Sequence, residues 1–464
     1  MNVAGDWVEY GAVTVAMLLD AATLRDLEVL SPLAPQGPTV WSLVDRTQTH
    51  AGRQALRALL LTSLNSGEDI LERQRAHREL SDESRTICPA IYRAGCDRVE
   101  HYVRMAWQLP ADMRRPARVI GDFWPRWYRH YLKDAREGRQ NVTAFLDAAA
   151  ELGRHLSSAK TRTLRQTGEE IVRRFDLRQT QELLSLGRKG STRSLLVFDQ
   201  IARGPANTVL KELLEHVGTV EAMWSVAAAT VEHGWSYPTP GRRLAVCELR
   251  HPFLGSRGVP SDLLLTEDVR VCFVTGPNMA GKSTFLKSVA TAMLLAHAGC
   301  GVPATSMTFP VVGAIFSSVQ ILDNVSGGES FYLAEVRRIK ALATVLQNGA
   351  PALAIIDEPF RGTNVHDAAE ATLAIIMRLA AHPRALVFIA SHIAEIAPTI
   401  AADARIRLLH FLADVTAEQP TFDYHLRDGV STQRLGMTLL KQERVLDLLG
   451  DAVDAGALSE PSAT

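Results

Sequence analysis

Nine consecutive residues, Gly276-Pro277-Asn278-Met279-Ala280-Gly281-Lys282-Ser283-Thr284, have the types and spacing of a loop that wraps phosphate. Glycine lets the backbone turn so that its N–H groups face the phosphate oxygens, and a following helix adds the partial positive charge of its N-terminus. In that arrangement Lys282 neutralises the β- and γ-phosphates and the Ser283 hydroxyl holds Mg²⁺. A glycine turn before a helix is the other origin of such a string. The flanks favour nucleotide: residues 269–274 are an apolar run of buried-strand length, and residues 285–298, rich in Ala and Leu, read as a helix.

Hydrolysis requires two further groups, a carboxylate that orders the metal and one that activates water. The apolar run at 352–356 leads into Asp357-Glu358, directing Asp357 toward Mg²⁺ and Glu358 toward the attacking water; an acidic pair capping the next helix is the alternative. Residues 385–390 form another strand. His392, just beyond it, stands where ligands of open α/β sheets gather, in reach of a γ-phosphate. Ser330 follows Gly327-Gly328 and opens a helix whose apolar stripe is Tyr332, Val336, Ile339, Ala343 and Leu346. By itself Ser330 reads as an N-cap. Beside the other pieces it matches the way ABC-type ATPases reach the γ-phosphate across a dimer, where the hydroxyl and helix dipole complete the partner's site.

These groups need an open sheet to hold them, and the pattern supplies one in the second half only. From about 18 to 237 apolar residues recur at helical spacing, as in 51–64 and 206–231, until Pro238, Pro240 and Gly241 end the run. Short β-rich segments at 244–249, 269–274, 311–319, 352–356 and 385–390 then alternate with helices. Residues 406–427 read as paired strands, with a helix from about 438. The expected fold is α/β plus all-α: a helical domain over 1–240 and an ABC-type P-loop ATPase domain over 241–464.

A net charge of −1 offers no global attraction to nucleic acid, so any such contact must come from a local patch. Residues 111–195 carry 18 Lys and Arg against 10 Asp and Glu. The candidates for phosphate contact are Arg114, Arg115, Arg126, Arg129, Arg173, Arg174, Arg188 and Lys189, with Phe123, Trp124, Trp127, Tyr128 and Tyr131 interleaved among the first. Solvated faces of long helices with an aromatic core give the same pattern, and both readings stand. The five cysteines have no C-x-x-C spacing, which argues against a disulfide framework and for a reducing compartment. The apolar stretch 12–19 is too short for a bilayer and follows Asp6 and Glu9, so a cytoplasmic protein is expected.

Joined together, these motifs make the chain resemble the MutS-type ATPases. Thr275 with the loop that follows it is similar to that family's form of the phosphate loop. Asp357-Glu358 followed by Arg361-Gly362-Thr363-Asn364 and Asp367 resembles its metal and dimer-contact motif. Ser330 and Glu335 match its signature helix, and Arg250-His251-Pro252 the strand entering its ATPase domain. Upstream, residues 19–28 and 43–47, with Thr49 and Gly52-Arg53, look like the start of its helical core and lever. The resemblance implies ATP and Mg²⁺ as cofactors, a homodimer through the ATPase domains, and hydrolysis that switches the grip on DNA alongside repair or recombination proteins, away from any membrane.

Departures are equally definite. Phe331 stands where Thr is usual, and Pro359-Phe360 replaces Leu-Gly. We expect no Phe-x-Glu mismatch-reading domain, a helical region at 49–237 too short for a full DNA clamp, an abbreviated C-terminal dimer element after Leu448 and no Smr nuclease domain. The same motor acting on a protein or ribonucleoprotein partner, with the helical half as scaffold, is the alternative function.

Overall fold

The computed structural model describes residues 17–82, 95–105, 126–319, 331–414, 421–433, 445 and 448. Its first half runs β1 (Leu18–Leu19), α1 (Ala21–Asp26), α2 (Val40–Val44), α3 (His50–Leu61), α4 (Gly67–Asp82), α5 (Cys96–Arg104), α6 (Arg126–Ser157), α7 (Arg162–Phe175), α8 (Arg178–Gly187), α9 (Thr192–Arg203) and α10 (Asn207–Glu232). The helices form because apolar residues recur every three or four positions; the stripes of α4 to α10 close on a core around Phe145, Leu146, Ile171, Phe198, Leu210 and Leu213, while α1 to α3 pack into the core of the main sheet. Thr49 caps α3 by accepting from the Gly52 N–H at 3.0 Å. Helix α10 crosses α3 at Gly218, where a Cβ would stand 2.6 Å from the Ala51 backbone. From the next turn of α10 the buried Glu221 carboxylate accepts the N–H groups of Gln48 (2.6 Å) and Thr49 (3.2 Å), which fixes the loop entering α3.

The second half runs β2 (Thr239–Gly241), β3 (Ala245–Leu249), β4 (Ser261–Leu264), β5 (Val271–Thr275), α11 (Lys282–His297), β6 (Ser306–Pro310), β7 (Ala314–Ser318), α12 (Phe331–Gln347), β8 (Ala352–Asp357), α13 (Val365–Ala380), β9 (Ala385–Ala390), α14 (Ala397–Ile400), β10 (Ile406–His410), β11 (Ala413–Asp414), β12 (Thr421–Phe422) and β13 (Arg427–Asp428). Seven strands make one sheet in the order β1-β7-β8-β9-β5-β10-β13, parallel except for the β13 edge. Strands β5, β8 and β9 are continuous apolar runs because both faces are covered. On one face Leu286 and Met293 of α11 pack with Leu353 and Phe388; on the other, Leu342 of α12 and Ile376 of α13 pack with Phe273, Ile356 and Ile389. A four-stranded sheet, β2-β6-β3-β4, lies beside it.

The mixed α/β architecture agrees with the sequence pattern, and the expected strands at 269–274, 352–356 and 385–390 appear within a residue or two. Residues 406–427 contain the expected paired strands, with β11 antiparallel to β12 and β10 antiparallel to β13, and β10 makes a further pairing as well. The buried residues Ile406 and Leu409 extend the main sheet as a parallel neighbour of β5, a long-range pairing that no local pattern announces. Leu18–Leu19 likewise pairs with Ala314–Ile315, so the chain's first described residues border the main sheet and share its core. Of the helix expected from about 438, Val445 and Leu448 are described, and both are helical. Among the described residues no helix is long and apolar enough to cross a membrane.

Candidate active site

Strand β5 hands the chain to a loop that only glycine-permitting backbone can make. Gly276 has φ 139° and Gly281 φ 106°, and a Cβ on Gly276 would meet the Phe411 carbonyl at 2.7 Å. Lys282, the first residue of α11, is folded back over this loop: its Nζ donates to the carbonyls of Gly276 (2.8 Å) and Pro277 (3.1 Å) and to Asn278 Oδ1 (3.4 Å). Burial holds its ammonium below the ordinary lysine value, with the carboxylates of Glu358 and Asp357 opposing the shift. The next side chain, Ser283, turns toward the end of β8.

There the Ser283 hydroxyl donates to Asp357 Oδ2. Asp357 Oδ1 is buried with no hydrogen-bond partner. Burial raises the Asp357 carboxyl above its usual range, partly offset by the Ser283 bond. An orphaned carboxylate oxygen next to a hydroxyl is what a hard divalent cation satisfies, so the residues fit Mg²⁺. Among the described residues no group of three or more His, Cys, Asp or Glu is placed to hold a metal, and Mg²⁺ needs none, because it shares substrate phosphates and water as ligands.

Glu358 leaves β8 in the left-handed region, with φ 48°, while its N–H donates to the Ala390 carbonyl of β9 at 2.8 Å. Its carboxylate stands 3.4 Å from the Arg361 guanidinium and 3.9 Å from His392 Nδ1. Lys282, Ser283, Asp357 and Glu358 thus line one cavity at the carboxyl ends of β5 and β8, and His392 stands just beyond the end of the neighbouring strand β9. Two residues on, Phe360 is again left-handed, at φ 64°, and buried; its ring lies 5.6 Å from that of Tyr332 on α12. Buried Glu335, one turn further along α12, is raised above the usual carboxylate range by burial, and the backbone N–H groups of Phe360, Arg361 and Gly362 act against that shift. Asn364 caps α13, accepting from the Asp367 N–H at 2.9 Å.

The loop opens on a cavity of about 680 Å³ whose wall includes His251, Leu254, Met279, Phe411 and Tyr424. Met279 belongs to the loop that the sequence singles out; the place of His251, Leu254, Phe411 and Tyr424 in this wall was not legible, because they come from other segments and no fixed spacing relates them to the loop. Tyr424, itself left-handed at φ 57°, lays its ring 3.3 Å from where a Gly281 Cβ would stand. Burial, followed by Lys287, pushes His251 down to about 4.

Arg338 is a second residue that sequence reasoning passed over. It donates from α12 to Asp20 Oδ1 (3.0 Å), Thr23 Oγ1 (2.8 Å) and the Ser317 carbonyl (2.6 Å). Asp26 completes the junction by accepting from the Ser317 hydroxyl (2.8 Å) and the Val319 N–H (3.0 Å). The segment 17–30 is thereby joined to β7 and α12, and Glu28 stands 3.9 Å from Lys287 on α11.

Ser330, Arg114 and Arg115 lie outside the described residues, and so do Phe123 and Trp124. Arg126 and Arg129 begin α6, and Arg129 is exposed. Arg173 pairs with Glu170 at 2.8 Å, and Arg174 with both Glu170 (2.7 Å) and Glu212 (2.8 Å). Arg188 and Lys189 are exposed, Arg188 standing 4.0 Å from Asp147. Tyr128 and Tyr131 are buried, and the Tyr131 hydroxyl donates to Asp199 at 2.5 Å, so these two aromatics belong to the core and not to a stacking surface.

Comparison with known proteins gives a consistent picture. Residues 272–447 match the family described as MutS domain V. The DNA mismatch repair protein MutS 2 of Halobacterium salinarum is 30% identical over 253 residues, covering 53% of this chain and 29% of that protein. The DNA mismatch repair protein MutS of Desulfitobacterium hafniense is 31% identical over 257 residues, again 53% of this chain and 29% of the relative. That of Persephonella marina is 24% identical over 513 residues, covering 91% of this chain and 58% of the relative. The chain therefore spans between roughly a third and three fifths of these relatives' lengths.

Proposed function

The chain belongs to the MutS family, and from that premise we propose that it is a Mg²⁺-dependent ATPase whose cycle switches a homodimeric DNA-binding assembly in repair or recombination. The observation that carries the reading is the convergence of Lys282, Ser283, Asp357 and Glu358 around one cavity, with Asp357 Oδ1 left unpartnered beside the Ser283 hydroxyl.

The loop N–H groups and Lys282 bind the β- and γ-phosphates. Ser283 and Asp357 would hold Mg²⁺, which when bound supplies charge neutralisation on those phosphates. Glu358 accepts a proton from water as the water oxygen bonds to the γ-phosphorus and the bond from that phosphorus to the β–γ bridging oxygen breaks, releasing ADP and phosphate. His392, 3.9 Å from Glu358, lies at the same strand ends and reads the γ-phosphate with Ser330 of the partner subunit. Residues 1–240 act as the helical core and lever, and 241–464 as the ATPase domain, in a cytoplasmic protein.

DNA is the proposed cargo because the relatives are named as DNA mismatch repair proteins. The intrachain pairing of Arg173 and Arg174 favours the second reading, a protein or ribonucleoprotein partner on the helical half. Binding to duplex, branched and mismatched DNA across a salt series, with and without ATP, separates the two. The first reading expects affinity that falls with salt and changes with ATP. Intact ATP turnover with no binding to any of the three would leave the partner reading in its place.

A further inference from the structure

Helix α4 clasps the ends of two other helices, one on each of two faces. Arg73 and His77, four positions apart, share a face; Glu72 and Glu79, seven apart, share another. The first face meets the end of α11, where a helix leaves its last carbonyls without partners. Arg73 Nη1 donates to the Ala298 carbonyl at 3.3 Å and His77 Nδ1 to that of Gly299 at 3.0 Å, while the Leu64 N–H, just before α4, donates to the His297 carbonyl at 2.8 Å. His77 is fully buried, and burial, followed by Arg73, pushes it down to about 3, so the ring is neutral and Nδ1 carries the hydrogen. Gly299 takes φ 76°, and a Cβ there would stand 2.8 Å from Arg73 Cδ. The two segments are therefore in direct contact.

The second face meets the start of α7, where the first N–H groups lack helical partners. Glu79 accepts from the N–H groups of Lys160 (2.7 Å) and Thr161 (3.0 Å), and Glu72 from that of Thr163 (3.1 Å). Charge matches dipole at both joints, a guanidinium at a helix C-terminus and carboxylates at an N-terminus. Helix α7 packs so closely on α6 that a Cβ on Gly168 would lie 2.4 Å from the Ser157 nitrogen, so the two form one arm. By helical rise, α11 spans about 24 Å from the phosphate loop to α4, and α6 runs for about 48 Å. At its start, Lys282 and Ser283 bond to Gly276, Pro277 and Asp357, and phosphate and Mg²⁺ compete for those same two side chains.

We infer that α4 is the relay between the ATP site and the helical half: a shift of α11 set by nucleotide passes through Arg73 and His77 to α4, and through Glu72 and Glu79 to the arm of α6 and α7. The inference rests on the reading of Lys282 and Ser283 as nucleotide-binding residues and names the route by which that site is coupled to the rest of the chain.

The test is hydrogen–deuterium exchange of the full chain with and without Mg²⁺ and a non-hydrolysable ATP analogue. It compares the wild type, the double variant Glu72→Ala with Glu79→Ala, and Arg73→Met, with thermal unfolding and ATP turnover as controls. In the wild type the analogue is expected to slow exchange in 276–290 and to change it at least about fivefold in 126–175. In both variants the first effect should remain and the second should fall below about twofold, with turnover within about threefold of wild type. A full response of 126–175 in either folded variant would overturn the inference, as would protection of 276–290 in the wild type with no response of 126–175; both results leave the reading of the ATP site standing. No protection of 276–290 in the wild type would overturn that reading and the inference with it. Should one variant not fold, the other decides; failure of both would assign these joints to stability and overturn the inference.

Discussion

Ser283 donates its hydroxyl hydrogen to Asp357 across 74 positions of sequence, joining the end of the phosphate loop to the end of a strand two places away in the sheet. The bond leaves Asp357 Oδ1 free and buried, and burial holds the carboxyl above its usual range. Asp357→Asn should therefore raise the Mg²⁺ concentration needed for half-maximal turnover about 10- to 100-fold without lowering the melting temperature, since it removes a buried negative charge. Titrating Mg²⁺ in turnover and nucleotide-binding assays, with chelator as the zero point, checks the first part, and calorimetry the second. An unchanged Mg²⁺ requirement would remove Asp357 from the metal.

The contact between Arg338 and Asp20 is a test of how the first described segment is joined to the sheet. Both side chains are mostly buried, and Arg338 also bonds Thr23 and Ser317. Arg338→Ala leaves Asp20 and the Ser317 carbonyl short of a donor, and should lower the free energy of unfolding by about 2–4 kcal/mol. Asp20→Ala should cause a comparable loss, and the double variant should lose less than the sum. Denaturant unfolding of the three variants measures this; additive losses each below about 0.5 kcal/mol would reduce the contact to a surface pairing.

Acid sensitivity should come from buried neutral imidazoles. His297 is wholly buried with Nδ1 against the Met293 carbonyl at 2.7 Å and Nε2 accepting from the Val312 N–H at 2.9 Å, which fixes the neutral tautomer. Burial pushes it from 6.5 down to about 4. Below pH 6.5 the unfolded chain binds a proton that the folded chain refuses until about pH 4, so stability is fully present above 6.5 and falls as pH drops through that window. The loss from this residue is about 3 kcal/mol. Urea midpoints measured from pH 7 to 4 should fall steeply in the wild type and less steeply in His297→Gln. Parallel slopes would show that His297 does not titrate in this way.

The candidate site was legible because its parts are local and chemically singular. A loop rich in glycine needs Gly276 and Gly281 at positive φ, and the apolar runs of strand length end at the carboxyl side of the sheet, where Asp357 and His392 emerge. The pairing of Leu18–Leu19 with β7, the parallel docking of 406–410 and the cavity wall of Phe411 and Tyr424 depend on contacts across a hundred residues or more, for which one sequence carries no spacing rule. Charge counting was weakest. It nominated Arg173 and Arg174 on number alone, whereas the fold brings Glu170 and Glu212 to them.

The central claim is that Glu358, held between Arg361 and His392 at the end of β8, takes the proton from the attacking water. Steady-state ATP turnover of Glu358→Gln against wild type tests it most directly, with analogue binding measured on the same preparations. The account predicts unimpaired nucleotide binding and a kcat at least about 100-fold lower. A Glu358→Gln protein that binds nucleotide and turns over at the wild-type rate would contradict it.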